Sequence, residues 1–63
     1  MVTVAEAYAE LKKITDDGYF QIVIRTINLA AGIRVEFQIW ANDKWHNGDT
    51  LEEALEEALT DAR

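Results

Sequence analysis

Two hydrophobic periods divide the chain. Val4, Tyr8, Leu11 and Ile14 follow at steps of four and three, with Ala5 beside them, which is one apolar face of a helix. Thr3 and Glu6 frame its start as a capping box, where hydroxyl and carboxylate satisfy orphan amides of the first turn. Asp17-Gly18 supplies the stop, because glycine suits the left-handed position after a helix. The spacing predicts a helix from about Val4 to Asp16. The period then becomes two: Phe20, Ile22 and Ile24 alternate with Gln21, Val23 and Arg25. Ile33, Val35, Phe37 and Ile39 alternate in the same way with Arg34, Glu36, Gln38 and Trp40. Each run reads as a strand with one buried face.

The two apolar sets share a face only if paired positions sum to an odd number, since a one-residue slip flips every side chain. Pairing Phe20 with Ile39, Ile22 with Phe37 and Ile24 with Val35 meets this condition. It leaves residues 28 to 31 as the loop and sets Gly32 opposite Ile27. Asn42-Asp43 then marks a tight turn, both residues tolerating positive φ. A short third strand is expected over Lys44 to Asn47, with Gly48 breaking it. With a two-residue turn, Trp40 faces Trp45 and His46 faces Ile39 on the core side. A three-residue turn would instead bring Trp45 inward and His46 outward. We adopt the first; the parity of Trp40 keeps it outside the core in both.

Thr50 and Glu53 form a second capping-box pattern. Leu51, Ala54, Leu55, Ala58, Leu59 and Ala62 then recur at helical spacing, an Ala/Leu face able to lie close against a sheet. The expected fold is α+β: helix, three-stranded antiparallel sheet, helix (αβββα), both helices on one face, in a single domain over residues 1–63.

Composition narrows the function. At 63 residues without Cys, one small core must hold the fold, with no help from disulfides or thiolate-bound metal. A homodimer that hides further apolar surface is an open alternative. No apolar run approaches the ~20 residues a bilayer requires. Residues 1–15 mix Glu6, Glu10, Lys12 and Lys13 into the apolar positions, which is unlike a signal peptide. The expectation is a soluble, cytoplasmic protein with no membrane partner. Net charge is −6, the wrong sign for gripping a phosphate backbone, so a direct nucleic-acid ligand is not expected and a basic protein partner is.

Little in the chain could carry chemistry. It has no Cys and no Ser for a nucleophile, and its three glycines form no phosphate loop. The one histidine, His46, reads as a packed or solvent-facing strand residue rather than a base or ligand. No enzyme, metal or cofactor is expected. Two surfaces remain as candidate partner-binding sites. Glu52, Glu53, Glu56 and Glu57 form an acidic helix face that could imitate phosphates before a basic groove. Trp40 and Trp45 lie on the sheet face away from the helices, where exposed Trp often marks a binding anchor.

Three resemblances bear on the role. Gly48-Asp49-Thr50-Leu51-Glu52-Glu53-Ala54-Leu55 resembles the strand-to-helix junction of HicB-type antitoxins, which implies a partner toxin that cleaves RNA. The element order is similar to that of double-stranded-RNA-binding domains. Their last helix starts with Lys-rich contacts to phosphate, whereas Asp49, Glu52 and Glu53 reverse the charge here. Size, acidity and element order together resemble small phage-encoded inhibitors of the anti-CRISPR type. The expected function is therefore a non-enzymatic acidic protein-binding module, of phage-inhibitor type, that blocks a basic nucleic-acid-handling protein. The alternative is an antitoxin-like module or a homodimeric accessory protein that binds through its open sheet face.

Overall fold

The Thr3 hydroxyl accepts from the Glu6 amide at 3.1 Å, and the Glu6 carboxylate accepts from the Thr3 amide at 3.2 Å. That reciprocal cap starts α1 (Val4–Ile14) in the computed structural model, which describes residues 2–62. The helix ends two residues earlier than its pattern predicts. Thr15 turns to extended backbone, and its buried hydroxyl donates to the Leu11 carbonyl at 2.8 Å. A β-branched residue that satisfies the last turn in this way stops the helix before Asp16. Gly18 takes the positive φ expected of it, +71°, but within the linker, three residues beyond the Thr15 cap, so it is not the helix stop that the sequence suggests.

β1 (Phe20–Leu29), β2 (Gly32–Ala41) and β3 (Lys44–Gly48) form one antiparallel sheet in the order β1-β2-β3, followed by α2 (Leu51–Ala62). The fold is thus the expected αβββα arrangement. Asn42 and Asp43 take φ of +53° and +61°, the two-residue turn that matches strand twist. Trp40 accordingly faces Trp45, and His46 faces Ile39.

The first hairpin departs from the expected register by two residues. Phe20 pairs with Ala41, Ile22 with Ile39 and Ile24 with Phe37, and Ile27 faces Arg34 rather than Gly32. The loop is only Ala30-Ala31, since Gly32 at φ +142° adopts a backbone that L side chains avoid and lets the chain reverse sooner. A shift of two preserves side-chain parity, so the apolar set keeps its face.

The core gathers Ile39 and Ala41 from β2 with Leu51, Ala54, Leu55 and Ala58 from α2. On α1 the buried residues are Ala7 and Leu11, with Ile14 partly covered, while Val4, Ala5 and Tyr8 are exposed. The expected stripe is therefore rotated. α1 packs chiefly against α2, where small Ala7, Ala54 and Ala58 allow a close approach. Tyr8 instead meets Phe20 edge-on at the rim, ring centroids 5.1 Å apart.

The second cap is only half the expected box. The Glu53 amide donates to the Thr50 hydroxyl at 3.1 Å, but the Glu53 carboxylate reaches past Thr50 to the Asp49 amide at 3.2 Å. Gly48 makes that tight corner possible. A Cβ there would stand 2.6 Å from the Ala54 nitrogen and 2.8 Å from the Glu53 Cβ.

Two predictions follow from this packing. Gly48→Ala must push α2 from the end of β3 and should cost about 1–3 kcal/mol, read as a lower urea midpoint. An unchanged midpoint would mean the first turn of α2 can withdraw freely. His46 is 2% exposed, and its Nδ1 has no hydrogen-bond partner among the described residues. Replacing it by Leu removes an orphan polar atom and should raise stability by about 1 kcal/mol. A loss would show that the imidazole contributes more by packing than its unpaired nitrogen costs.

Candidate functional site

The sheet's open face carries the side chains of opposite parity to the core. Near the Asn42-Asp43 turn these are Tyr19, Gln21, Trp40 and Trp45. The indoles of Trp40 and Trp45 meet edge-on with centroids 5.3 Å apart, a cross-strand contact that fixes both rings. Trp40 is half-buried, but Trp45 remains 44% exposed. The Gln21 amide donates to the Tyr19 hydroxyl at 2.8 Å and holds that ring beside them.

The linker from α1 and the turn between β2 and β3 close this surface into a hollow. Asp16, Asp17, Tyr19, Trp40, Asn42 and Asp43 line a space of about 230 Å³, and Tyr19, Gln21, Trp40, Asp43 and Trp45 line a shallower extension of about 410 Å³. Two hydrogen bonds set its shape. The Asn42 side-chain amide donates to the Ile14 carbonyl at 3.1 Å, which ties the turn to the end of α1. The Asp17 carboxylate accepts from the Tyr19 amide at 2.9 Å and fixes the bend before β1. Three carboxylates thus border three aromatic rings. A lysine ammonium or an arginine guanidinium is the group that suits both, attracted by ring faces and by negative charge alike.

The four glutamates of α2 lie elsewhere. They sit on the helix layer, across the sheet from the Trp pair, so the two sets expected as partner-binding do not form one site. Nor are they a single row. Glu52 borders an apolar groove with Val2, Val4, Phe37 and Leu51. Glu53 caps the Asp49 amide, and Glu57 stands 3.8 Å from His46 Nδ1. Glu56 is exposed and makes no ion pair or hydrogen bond among the described residues.

Reading the sequence by parity finds Trp40, and with a two-residue turn Trp45, but misses Tyr19, Asp16, Asp17 and Asp43. Tyr19 shares the parity of Gln21, which was the signal available. Asp17 and Asp43 read as turn formers and Asp16 as the last residue of the first helix, and only the folded chain brings them beside the rings. Among the described residues, no group of His, Cys, Asp and Glu is arranged to hold a metal ion, and no helix is long and apolar enough to cross a membrane. In comparisons with known proteins, no family model matches the chain, and neither a curated protein nor a solved structure is significantly similar to it.

Proposed function

We propose that this chain is a non-enzymatic acidic module that binds a basic protein partner, taking a lysine or arginine of that partner into the hollow at Trp40 and Trp45. The observation that supports the reading is the convergence of Tyr19, Trp40 and Trp45 with Asp16, Asp17 and Asp43 at one end of the sheet. An exposed Trp held rigid by a neighbouring Trp loses little freedom on binding, which is how an anchor gains affinity. The net charge of −6 adds long-range attraction for a basic partner. The glutamates of α2, on the other layer, would speed encounter rather than touch the same groups. Proteins that handle nucleic acids carry basic surfaces, so blocking one of them is the biological role this chemistry fits. An antitoxin-like role draws on the junction at residues 48–55, where Gly48 is demanded by space. It differs in the identity of the basic partner rather than in the recognition.

A short arginine- and lysine-rich peptide is the direct probe, followed by Trp fluorescence and amide chemical shifts, with a glutamate-rich peptide as control. Shifts should centre on Tyr19, Trp40, Asp43 and Trp45. Trp45→Ala should weaken binding about 30-fold, the ~2 kcal/mol of a hot-spot aromatic. Asp43→Asn keeps a residue that tolerates positive φ and should reduce the salt dependence. Replacing Glu52, Glu53, Glu56 and Glu57 by Gln should slow association and leave dissociation unchanged. Shifts confined to α2, or an affinity indifferent to Trp45→Ala, would overturn the reading.

A further inference from the structure

The far half of the β1–β2 hairpin is uncovered on the face that elsewhere forms the core. Phe20, Ile22, Ile39 and Ala41 lie under or beside the helices, but Ile24, Ile33 and Val35 on the same face are 56%, 70% and 42% exposed. β3 pairs only with Phe37 to Ala41, so beyond it β1 and β2 run as a two-stranded ribbon with both edges free. Such a ribbon is marginal by itself in water. It makes the molecule 41 Å long against 23 and 17 Å in the other directions. The accessible surface of 4519 Å² exceeds by about 400 Å² the ~4,100 Å² expected of a compact chain of 7.2 kDa.

Beside the root of the ribbon, on the same face, lies an apolar groove of about 600 Å³. Val2 and Val4 from the start of α1, Leu51 and Glu52 from the start of α2, and Phe37 from β2 line it. We infer that a second copy of this chain covers both features, in a two-fold dimer where each ribbon lies over the other and points its tip into the other's groove. The layer spacing allows this arrangement. A second sheet packs about 10 Å above the first, close to the height at which helices sit on a sheet. The partner's ribbon therefore continues the helix layer and completes the half that α1 and α2 do not reach. One face carries both the projecting strip and the receiving groove, which is the self-complementarity a two-fold interface requires.

Charge argues for the same occupant. On the face in question the ribbon presents Ile24, Thr26, Asn28, Ile33 and Val35, none of them charged, whereas Arg25, Arg34 and Glu36 have the parity of the open face and Arg34 is paired with Glu36 and Asp49 of its own chain. In a chain of net −6, two copies can meet through this strip without setting like charges against each other. The apolar side chains of strip and groove, Ile24, Ile33, Val35 and Val4, are all more than two-fifths exposed and lie on one face, the kind of contiguous patch that marks an interaction site. The dimer is independent of the aromatic hollow, which lies at the other end of β2.

Sedimentation equilibrium from micromolar to millimolar protein is the test, with Ile33→Asp and Ile24→Asp as variants. Both residues are exposed in the single chain, so the substitutions should leave its circular dichroism unchanged. The wild type should sediment at twice the 7.2 kDa chain mass at the upper concentrations, and each variant should shift the dimerisation constant at least tenfold towards monomer. Isotope-filtered NOEs in a mixed-label sample should join Ile33 and Val35 of one copy to Val4 and Leu51 of the other. A wild type monomeric throughout, a dimer indifferent to Ile33→Asp, or intermolecular NOEs running between the Trp rings or along paired β1 edges would overturn the inference. Trp45→Ala should leave the dimer intact, so failure of the dimer and failure of the basic-partner reading are separable.

Discussion

Helices rise 1.5 Å per residue and strands about 3.3 Å, and much of this structure follows from that difference. The eleven and twelve residues of α1 and α2 extend no more than about 18 Å, while ten-residue strands reach about 33 Å. Two such helices cannot cover such a hairpin from end to end. They cover the end where β3 adds a third strand, because α2 can pack there on both β2 and β3. The other end is left with a strip of β-branched side chains and no layer above it. In a chain this small, the uncovered half is a large share of the apolar surface, so its fate matters for stability as well as for partners.

At the covered end, space sets the terms. Alanines at 7, 54 and 58 let two helices and a sheet meet within one shallow core, and Gly48 lets α2 start directly against the end of β3. The core is economical enough that His46 is drawn into it with one ring nitrogen unpaired among the described residues and Glu57 too far to bond it. Packing this close also pulls the α1–β1 linker up to the β2–β3 turn, where Asn42 holds the Ile14 carbonyl. The hollow at Trp40 is a consequence of that closure.

Much of the fold was legible because its determinants are local. The Thr3–Glu6 cap, the Asn42-Asp43 turn and the alternation from Phe20 to Ile39 each depend on residues within a few positions of one another. What was missed depends on distance or on loop geometry. Parity allowed several registers in the first hairpin, and only the φ of Gly32 selected the two-residue loop. Val4 and Tyr8 satisfied a helical period as well as Ala7 did, but contact with α2 decided which residues were buried. Trp40 was legible on the open face by parity alone, whereas Trp45 also depended on the two-residue length of the Asn42-Asp43 turn. The aspartates around them were not, since Asp16, Asp17 and Asp43 come together only when the linker and the turn are tied.

The two surfaces lie at opposite ends of β2, one at the Asn42-Asp43 turn and the other towards the Ala30-Ala31 turn. Their separation has a consequence for binding. The proposed dimer would leave both hollows in solvent, facing away from the shared interface, so one particle would present two of the proposed sites for basic side chains. Two sites on a rigid frame gain avidity against a partner that repeats its basic groups at a matching span, and gain nothing against one that offers a single lysine. Tight binding would then select multivalent or polymeric basic partners although each contact is modest. On that reading a chain too small to build a deep pocket would gain discrimination from spacing, and the uncovered half of its longest hairpin would supply that spacing.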